Sequence, residues 1–509
     1  MTRRRIPIPF IVPSYNKKNF TSASVQRLVN FYQEPYMSAA GSTQMAAIGM
    51  PGLNTWINLN GGVIRGMFNY QETGYVVVDN NVYCITNVTS TPPTATLIGT
   101  IATSQGMVNF CAIAQNIIVL NDGTNTYSIT GAVPPITLAL LSGSGGVLSP
   151  ITRVVQKDGF FLYLTPTDNV IWVSNLEDPT KVQGTSFFEA PTQADLLQAA
   201  ITSNEYVYCF GSHSMEIWQD TGAQFQPFTR FAGGIFQFGI AANNSAVSIS
   251  DNIYFLAQSP NGLLGVIEMN GLTNQVISTN HLNYTFTNYN KVSNAFGWSD
   301  VCNGHANYNI TFPSAGVVGT TIQGCTWTYD TQTQMWSERT SYNPQFSYND
   351  RHATNCQMYI GGQQIVGDYQ SGYLYVLSQS NLSDTLQGVN YPISRTLISP
   401  HIMNADYWFA LNNLEFDVER GEGLASGQGS SPVMFFSYSK DKGHTWSNQI
   451  TLNVTAMGQY RNRIRVGSVG SARTLDLRID CSDPIVWVFY GITAELDSEI
   501  KMLQQLGYQ

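Results

Sequence analysis

Residues 74–85, GYVVVDNNVYCI, contain the pattern that decides the fold. Two runs of β-branched and aromatic residues flank the turn-forming letters DNN, so this stretch predicts two antiparallel strands joined by a tight turn. The same pattern returns along the chain, in residues 116–129, 159–173, 205–218, 252–267, 307–336 and 358–377. The sequence therefore predicts a succession of β-hairpins.

The hairpins recur at a nearly constant spacing. With the starts at Tyr75, Ile117, Phe160, Tyr206, Ile253, Tyr308 and Met358, the steps are 42, 43, 46, 47, 55 and 50 residues. Blades of β-propellers repeat every ~40 to 50 residues, and blades arranged around an axis bury faces that a single small sheet would leave exposed. We expect a β-propeller-like domain of six or seven blades over residues 56–393. Stacked β-sandwiches with similar spacing are the alternative.

Composition agrees with an all-β protein. Only 11% of the residues are charged and 12% are aromatic, whereas about 25% charged residues is usual. The net charge of −9 argues against a protein that wraps nucleic acid, because neutralising phosphates needs clustered Lys and Arg. It does not exclude DNA passing close to the protein, since a wall with few cations would not retain a polyanion.

The cysteines and the N-terminus indicate the compartment. Seven scattered cysteines without a CxxC pair are typical of free, buried thiols in a reducing environment. The N-terminal stretch MTRRRIPIPFIVPSYN has a basic start, but prolines interrupt its apolar part, so we expect no signal peptide. No run of eighteen apolar residues occurs, and we expect no membrane span.

The two ends of the chain lack the hairpin spacing. Residues 1–55 are rich in proline and are predicted to form an extended N-terminal arm laid over another surface. Residues 394–496 contain alternating strands spaced as in a β-sandwich. Residues 497–509 are predicted to form a short helix or tail, in which Asp497 or Ser498 caps the helix.

The stretch SKDKGHTW, residues 439–446, matches the Asp box found at hairpin tips of sialidase propellers. Its defining residues are Ser439, Asp441, Gly443 and Trp446. A sialidase would show several such boxes, an arginine cluster that grips a carboxylate, and a Tyr-Glu nucleophile pair. Because one box matches, we interpret it as a structural hairpin; a glycan-binding or sialidase-like propeller is the alternative function.

Two Cys/His pairs are candidates for a metal site. Cys302 with His305 and His352 with Cys356 could supply four zinc ligands. Most such coincidences are buried thiols and imidazoles, so we expect no metal site. The sequence also lacks GxxxxGK[ST], GxSxG, HExxH and GxGxxG, and it therefore predicts no catalytic and no cofactor-binding residues.

Arg461, Arg463 and Arg465 alternate in the stretch RNRIR. On a strand they would share one face, forming an interaction stripe for an acidic surface or for DNA phosphates. The alternative is a solvated face in which the arginines pair with Asp476 or Asp480 on the next strand. The basic residues of the N-terminus, Arg3, Arg4 and Arg5, are candidates for binding to an acidic groove.

Several segments, in order, resemble the packaged-DNA stabilisation proteins of short-tailed bacteriophages, which form the tail hub or nozzle. They are RLVNFYQEPY (27–36), GMPGL (49–53), SNLEDPT (174–180), FFEAP (187–191), MEIWQDTG (215–222), PFTRFAGG (227–234) and VISTNHLN (276–283). Later segments from GDYQSGYLYVL to CSDPIVW resemble parts of related phage virion proteins. SNLEDPT is not followed by the Trp-containing stretch often found in the family, which leaves the exact neighbours of this chain open.

The resemblance implies a structural virion protein and not an enzyme. It implies a homo-oligomeric ring, a hexamer, below the portal and its adaptor. Such a head-tail connector would close the DNA channel, retain packaged double-stranded DNA until ejection, and carry the tail fibre, spike or needle. We expect assembly in the host cytoplasm, a location in the virion tail, and no cofactor.

Overall fold

The computed structural model describes residues 5–17, 23–37, 43–114, 116–131, 136–143, 146–166, 168–190, 195–203, 205–223, 226–318, 321–404 and 407–498. These residues form a nearly all-β structure with a propeller and a sandwich, which confirms the predicted fold class. Five strands precede the repeats: β1 (Arg5–Ile8), β2 (Arg27–Val29), β3 (Phe31–Met37), β4 (Thr43–Gly49) and β5 (Gly52–Asn58).

Seven blade-like sheets follow in chain order. Blade one contains β6 (Ile64–Tyr70), β7 (Thr73–Val78), β8 (Asn81–Thr86) and β9 (Thr94–Thr100). Blade two contains β10 (Asn109–Ile113), β11 (Ile117–Asn121), β12 (Thr126–Thr130) and β13 (Thr137–Leu140). Blade three contains β14 (Arg153–Lys157), β15 (Phe160–Leu164), β16 (Val170–Asn175) and β17 (Asp178–Glu189).

The next blades are less regular. Blade four contains β18 (Leu197–Thr202), β19 (Tyr206–Gly211), β20 (Met215–Asp220) and β21 (Phe228–Phe236). Blade five has two short inner strands, and consists of β22 (Gly239–Ile240), β23 (Val247–Ile249), β24 (Asn252–Gln258), β25 (Leu264–Asn270) and β26 (Thr273–Val276). The helix α1 (Asn280–Thr287) follows it, capped by the Thr279 side chain, which accepts a hydrogen bond from Leu282 N.

Blades six and seven complete the ring. Blade six contains β27 (Phe296–Cys302), β28 (His305–Val318), β29 (Thr321–Asp330) and β30 (Met335–Asn343), with the short β31 (Tyr348–Arg351) paired to β30. Blade seven contains β32 (Thr354–Ile360), β33 (Gln363–Asp368) and β34 (Tyr373–Ser378), and its fourth strand is β5 from the N-terminal segment. The strand β5, from the N-terminal segment, therefore closes the propeller.

The blades form a closed ring. The inner strands contact one another in the order β6, β10, β14, β18, β23, β27 and β32, and β32 contacts β6 again. A separate apolar cluster fills each space between neighbouring blades. Between blades seven and one, for example, Ile365 packs with Val76, and both side chains are fully buried. Shared burial between blades accounts for the stability of sheets that could not persist alone.

The remaining strands follow blade seven. They are β35 (Ser383–Leu386), β36 (Val389–Pro392), β37 (Arg395–Ile398), β38 (Ile402–Met403), β39 (Phe409–Val418), β40 (Val433–Ser439), β41 (Ile450–Asn453), β42 (Ile464–Ala472), β43 (Thr474–Cys481) and β44 (Val488–Ser498). One sheet of the sandwich has the order β3-β4-β44-β39-β42, with β1 paired to β44. The facing layer contains β37, β43, β40 and β41.

The facing layer of the sandwich is continuous with blade six. The strand order of this eleven-stranded sheet is β27-β28-β29-β30-β2-β37-β43-β40-β41, with β31 and β38 attached beside it. Because β30 is the outer strand of blade six, the sandwich lies outside the rim of the propeller at that blade. A single apolar core, which includes Phe31, Phe416, Phe436 and Phe489, fills the space between the two sandwich layers.

The ends of the chain differ from the sequence prediction. The predicted N-terminal arm contributes strands to three sheets, because β1, β3 and β4 complete one sandwich layer, β2 joins blade six to the other, and β5 closes blade seven. Residues 394–496 are therefore only part of the sandwich. Asp497 and Ser498, the predicted helix caps, are the last residues of β44 and pair with Ala410 and Phe409. The rest of the predicted helix lies outside the described residues.

All seven cysteines are free thiols, and four of them are buried. Burial raises the pKa of several, including Cys302, whose pKa is raised to about 12. Within the described ranges, no helix has the length and apolar character needed to cross a membrane.

Candidate functional site

The Asp box forms the connection between β40 and β41. Asp441 Oδ1 accepts hydrogen bonds from Thr445 N at 2.8 Å and from Ser439 Oγ at 2.7 Å, and its Oδ2 accepts one from Thr445 Oγ1 at 2.6 Å. The bonds from Thr445 and Ser439 hold the pKa of the Asp441 carboxyl well below its usual range. Both carboxylate oxygens are therefore occupied in holding the turn.

Gly443 and Trp446 place this turn against the rest of the chain. Gly443 has a φ of +81°, and a Cβ at this position would lie 2.5 Å from Val25 Cγ1. Trp446 is half-buried, and the Arg478 guanidinium lies 5.8 Å from its ring centroid. The hairpin thus packs on the N-terminal segment that precedes β2.

The Asp-box hairpin borders a cavity of about 820 Å³ between blade six, the N-terminal segment and the sandwich. Two ion pairs line this cavity: Arg27 Nε donates to Glu338 Oε1 at 2.8 Å, and Arg478 Nε donates to Asp480 Oδ2 at 2.7 Å. Attraction to Glu338 raises the pKa of Arg27. Paired charges therefore form part of the cavity wall.

The predicted arginine stripe is only partly formed. The strand β42 begins at Ile464, so Arg461 and Arg463 precede it and do not alternate with Arg465 on one strand face. Asp476 and Asp480 are not their partners, because Asp476 Oδ1 lies 2.5 Å from His401 Nδ1 and Asp480 accepts from Arg478. The alternative, in which the arginines pair with Asp476 or Asp480 on the next strand, is therefore wrong.

The arginines instead surround Glu415 on β39. Arg465 Nη2 donates to Glu415 Oε2 at 3.0 Å, Arg5 Nη1 donates to the same oxygen at 2.7 Å, and Arg463 Nε lies 3.7 Å from Oε1. Burial works against ionisation of Glu415, but the bonds from Arg5 and Arg465 outweigh it and lower the pKa. We call Arg5, Arg461, Arg463 and Arg465 the arginine cluster. Arg3 and Arg4 lie outside the described residues.

The four residues of the Cys/His hypothesis have separate partners. His305 lies between Asp330 and Glu34, His352 Nδ1 lies 2.9 Å from Thr354 Oγ1, and Cys302 accepts a hydrogen bond from Gln379. Burial lowers the pKa of His352 well below its usual value. In the described part of the chain, no group of three or more His, Cys, Asp and Glu side chains is arranged to hold a metal ion.

Sequence reasoning missed Asn30, which joins the propeller to the sandwich. This residue is buried with a φ of +56°, and its Nδ2 donates to Thr340 O at 3.1 Å, to Thr340 Oγ1 at 2.9 Å and to Ser394 O at 2.8 Å. Its Oδ1 accepts from Thr340 N at 2.9 Å. Thr340 belongs to blade six and Ser394 precedes β37. The only local signal was an Asn in a short strand segment, and its partners are more than 300 residues away.

Three solved structures resemble the chain weakly. The N-terminal domain of Nup159 has a TM-score of 0.41 and 9% identity, covering 69% of this chain and 98% of that chain. The computationally designed Ika8 protein has a TM-score of 0.34 and 10% identity, covering 64% and 99%. PorZ of Porphyromonas gingivalis has a TM-score of 0.37 and 9% identity, covering 81% and 53%. No argument about function follows from these similarities.

Family comparison is more informative. No curated protein matches the sequence. Residues 8–382 match the family described as Bacteriophage P22 Gp10, beta-propeller, and residues 394–497 match Bacteriophage P22 Gp10, beta-sandwich. The two matches cover most of the chain, in the order in which the structure places a propeller and a sandwich. The chain therefore belongs to the bacteriophage P22 Gp10 family of structural phage tail proteins.

Proposed function

We propose that this tail protein forms the tail hub, or nozzle, of a short-tailed phage. Six copies would assemble as a ring below the portal and its adaptor. The ring would close the DNA channel, retain packaged DNA, and carry the fibres, spikes or needle. Membership in the Gp10 family and the resemblance of the quoted segments support this role.

The observation that carries the proposal is the continuous eleven-stranded sheet between propeller and sandwich. Its strand β2 comes from the N-terminal segment and pairs on one side with β30 of blade six and on the other with β37. Backbone hydrogen bonds therefore run without interruption from the propeller into the sandwich. A subunit built in this way can bear load between neighbouring rings of a tail without bending at a linker.

The mechanism would be geometric. Rigid subunits around an axis would leave a lumen for duplex DNA, and an acidic protein with few cations would let DNA slide during ejection. We also propose the division of roles expected from the sequence, in which residues 56–393, together with the first residues of β5, form the propeller body. In that division Ser439, Asp441, Gly443 and Trp446 serve as a structural hairpin.

Particles assembled without the protein test this role. A phage deleted for this gene would be grown in cells with and without a plasmid-borne copy, and the DNA content of purified heads would be measured. We expect heads made without the protein to package DNA and then lose it, and the plasmid copy to restore retention and infectivity. Particles that retain their DNA without the protein would contradict the proposal. So would particles that regain DNA retention from the plasmid-borne copy but do not contain the protein.

The alternative, a glycan-binding or glycan-cleaving protein, has less support. Both oxygens of Asp441 hold the turn, and the arginine cluster surrounds a carboxylate of its own chain, Glu415. Incubation of the protein with sialosides and host polysaccharide tests this alternative directly. Turnover that an acidic-to-amide substitution abolishes would favour it over the structural role.

A further inference from the structure

A group of carboxylates lies on one side of the propeller. Because successive strands of a blade run in opposite directions, the turns from first to second strand and from third to fourth strand lie on the same side. In blades three, four and five these turns and the adjoining strand ends contain Asp158, Glu177, Asp178, Glu205, Asp220 and Asp251, all exposed or half-buried. We call these six residues the acidic crescent.

The crescent lies in an acidic part of the chain. Residues 151–251 hold ten acidic and four basic residues, a net charge of −6, whereas the whole chain has −9. Two lysines lie on the same side, and each is beside a carboxylate: Lys157 is 3.0 Å from Asp158, and Lys181 is 4.0 Å from Asp178. The six carboxylates outnumber these two lysines, so this side of blades three to five has an excess of negative charge.

The arginine cluster has the opposite excess. Arg5, Arg463 and Arg465 are 41%, 62% and 43% exposed and share the carboxylate of Glu415, and Arg461, two residues before Arg463, is exposed. On the same sheet, Glu495 accepts a hydrogen bond from Asn413, and Asp417 accepts one from Arg420. Guanidinium groups with unfilled donor capacity are suited to carboxylates of a second molecule.

The two surfaces lie at different positions around the propeller. The sandwich, with the arginine cluster, is attached outside blade six, and the crescent is centred on blade four, two blades further round the ring. The surfaces are neither on one side of the subunit nor diametrically opposite. When two unlike surfaces placed in this way are in contact, each copy is rotated relative to the one before it, so the copies can close into a ring. Surfaces on opposite sides of the subunit would instead build a straight filament.

We propose that the arginine cluster of one subunit docks on the acidic crescent of the next copy in the ring. This inference rests on the ring proposed above and names the surfaces that hold it together. A second copy fits the cluster better than DNA does, because a second copy also brings cations to the crescent, which has more charged groups than the cluster and which would repel DNA. The contact is heterologous, so each subunit uses both surfaces at once.

Charge reversal in particles tests the contact. One variant is Arg461→Glu with Arg463→Glu, which spares the two arginines that bind Glu415 most closely. The other is Glu177→Lys with Glu205→Lys in the crescent. Each would be supplied alone to a phage deleted for this gene, and copies per particle would be counted by quantitative mass spectrometry. We expect each variant alone to reduce incorporation by about tenfold or more, equivalent to ~1.4 kcal/mol in the free energy of incorporation.

Supplying both variants together gives the decisive measurement. In a ring in which the two variants alternate, the reversed cluster of one variant contacts the reversed crescent of the other. The unchanged cluster of the second variant contacts the unchanged crescent of the first, so the charges are complementary at every contact. Co-expression is therefore expected to restore incorporation to near the wild-type level. Lys291→Glu, on an exposed loop after α1, is the control for a charge reversal elsewhere, and thermal melting of each purified variant checks its folding.

The possible results separate the two proposals. If the wild-type protein is present in particles and both variants are incorporated at the wild-type level, the proposed docking surfaces are wrong. The proposal of a ring would then still stand. Loss of DNA retention by the arginine variant at normal incorporation would assign the cluster to DNA and overturn the contact. Absence of the wild-type protein from particles would remove the ring itself.

Discussion

Glu34 Oε2 and His305 Nε2 lie 2.7 Å apart, and this contact joins the N-terminal β3–β4 hairpin to blade six. The other ring nitrogen of His305 lies 2.7 Å from Asp330 Oδ2. An imidazolium can donate to both carboxylates, whereas a neutral imidazole has one N–H. The contact between the propeller and the sandwich therefore depends on the protonation of His305.

This arrangement predicts a loss of stability at alkaline pH. Burial lowers the pKa of His305, but hydrogen bonds and attraction from Glu34 and Asp330 outweigh it, so the folded-state pKa is raised. The stabilisation is fully present below the unfolded value, about 6.5, and is lost as pH rises through the raised pKa. His305→Gln should cost about 2 kcal/mol at pH 6.

Urea unfolding of the wild type and of His305→Gln between pH 5.5 and 9.5 measures this dependence. Since glutamine does not titrate, the stability difference between the two proteins should shrink as pH rises. A difference that stays constant over the whole range would show that His305 is not protonated in the folded protein.

Asn30 provides a second prediction about the same junction. Asn30→Ala removes the hydrogen bonds to Thr340 and Ser394 and places alanine at a positive φ, so it should destabilise the protein by about 3 kcal/mol. Asn60→Ala is the matched control, because Asn60 is exposed and has a φ of +53°. Equal melting temperatures for the two variants would refute a special role for Asn30.

Replacement of Asp384 by asparagine should stabilise the protein. Burial raises its pKa to about 6, although its Oδ1 accepts a hydrogen bond from Leu53 N on the closing strand β5. Because the folded protein holds this proton more tightly than the unfolded chain, wild-type stability falls as pH rises from about 4 to 6.

Asp384→Asn keeps the acceptor without the charge, so it should be more stable than the wild type by about 2 kcal/mol at pH 7 and equal to it at pH 4. Asp384→Ala loses the acceptor and should be destabilised at both values. Thermal melts at the two pH values distinguish these outcomes. An amide variant that is less stable than the wild type at neutral pH would contradict the assignment.

Gly443 tests the packing of the Asp-box hairpin. Gly443→Ala combines a positive φ with a clash against Val25, and should destabilise the protein by about 2 kcal/mol. Gly458→Ala, at a φ of +78° with no atom within 4 Å of the added carbon, isolates the conformational cost. If both variants lose the same stability, contact with the N-terminal segment is unimportant.

Sequence patterns predicted the features whose interactions are local. The hairpins of the blades are formed by residues close in the chain, and their strand and turn residues indicated them. The hydrogen bonds of the turn from Ser439 to Thr445 are likewise local. Each blade is stabilised by packing against its neighbours, and the regular spacing of the hairpins indicated this arrangement.

Features that depend on distant residues were not predictable. The strand β2 has three residues, and β5 pairs with a strand more than 300 residues later, so neither has a local pattern that reveals its partner. The contact of the arginines with Glu415 was also not predictable, because Glu415 lies about fifty residues from Arg465. A single sequence shows residue types and periods, and it does not show which distant strands pair.

The closing strand β5 has a consequence for synthesis of the protein. Residues 52–58 leave the ribosome early, but β34, which pairs with them, is completed only at Ser378. During translation the nascent chain must therefore keep the apolar side chains of β5 from wrong partners while six blades are made. Host chaperones that hold unpaired strands would affect the yield of this protein more than that of a propeller closed within its own C-terminal blade.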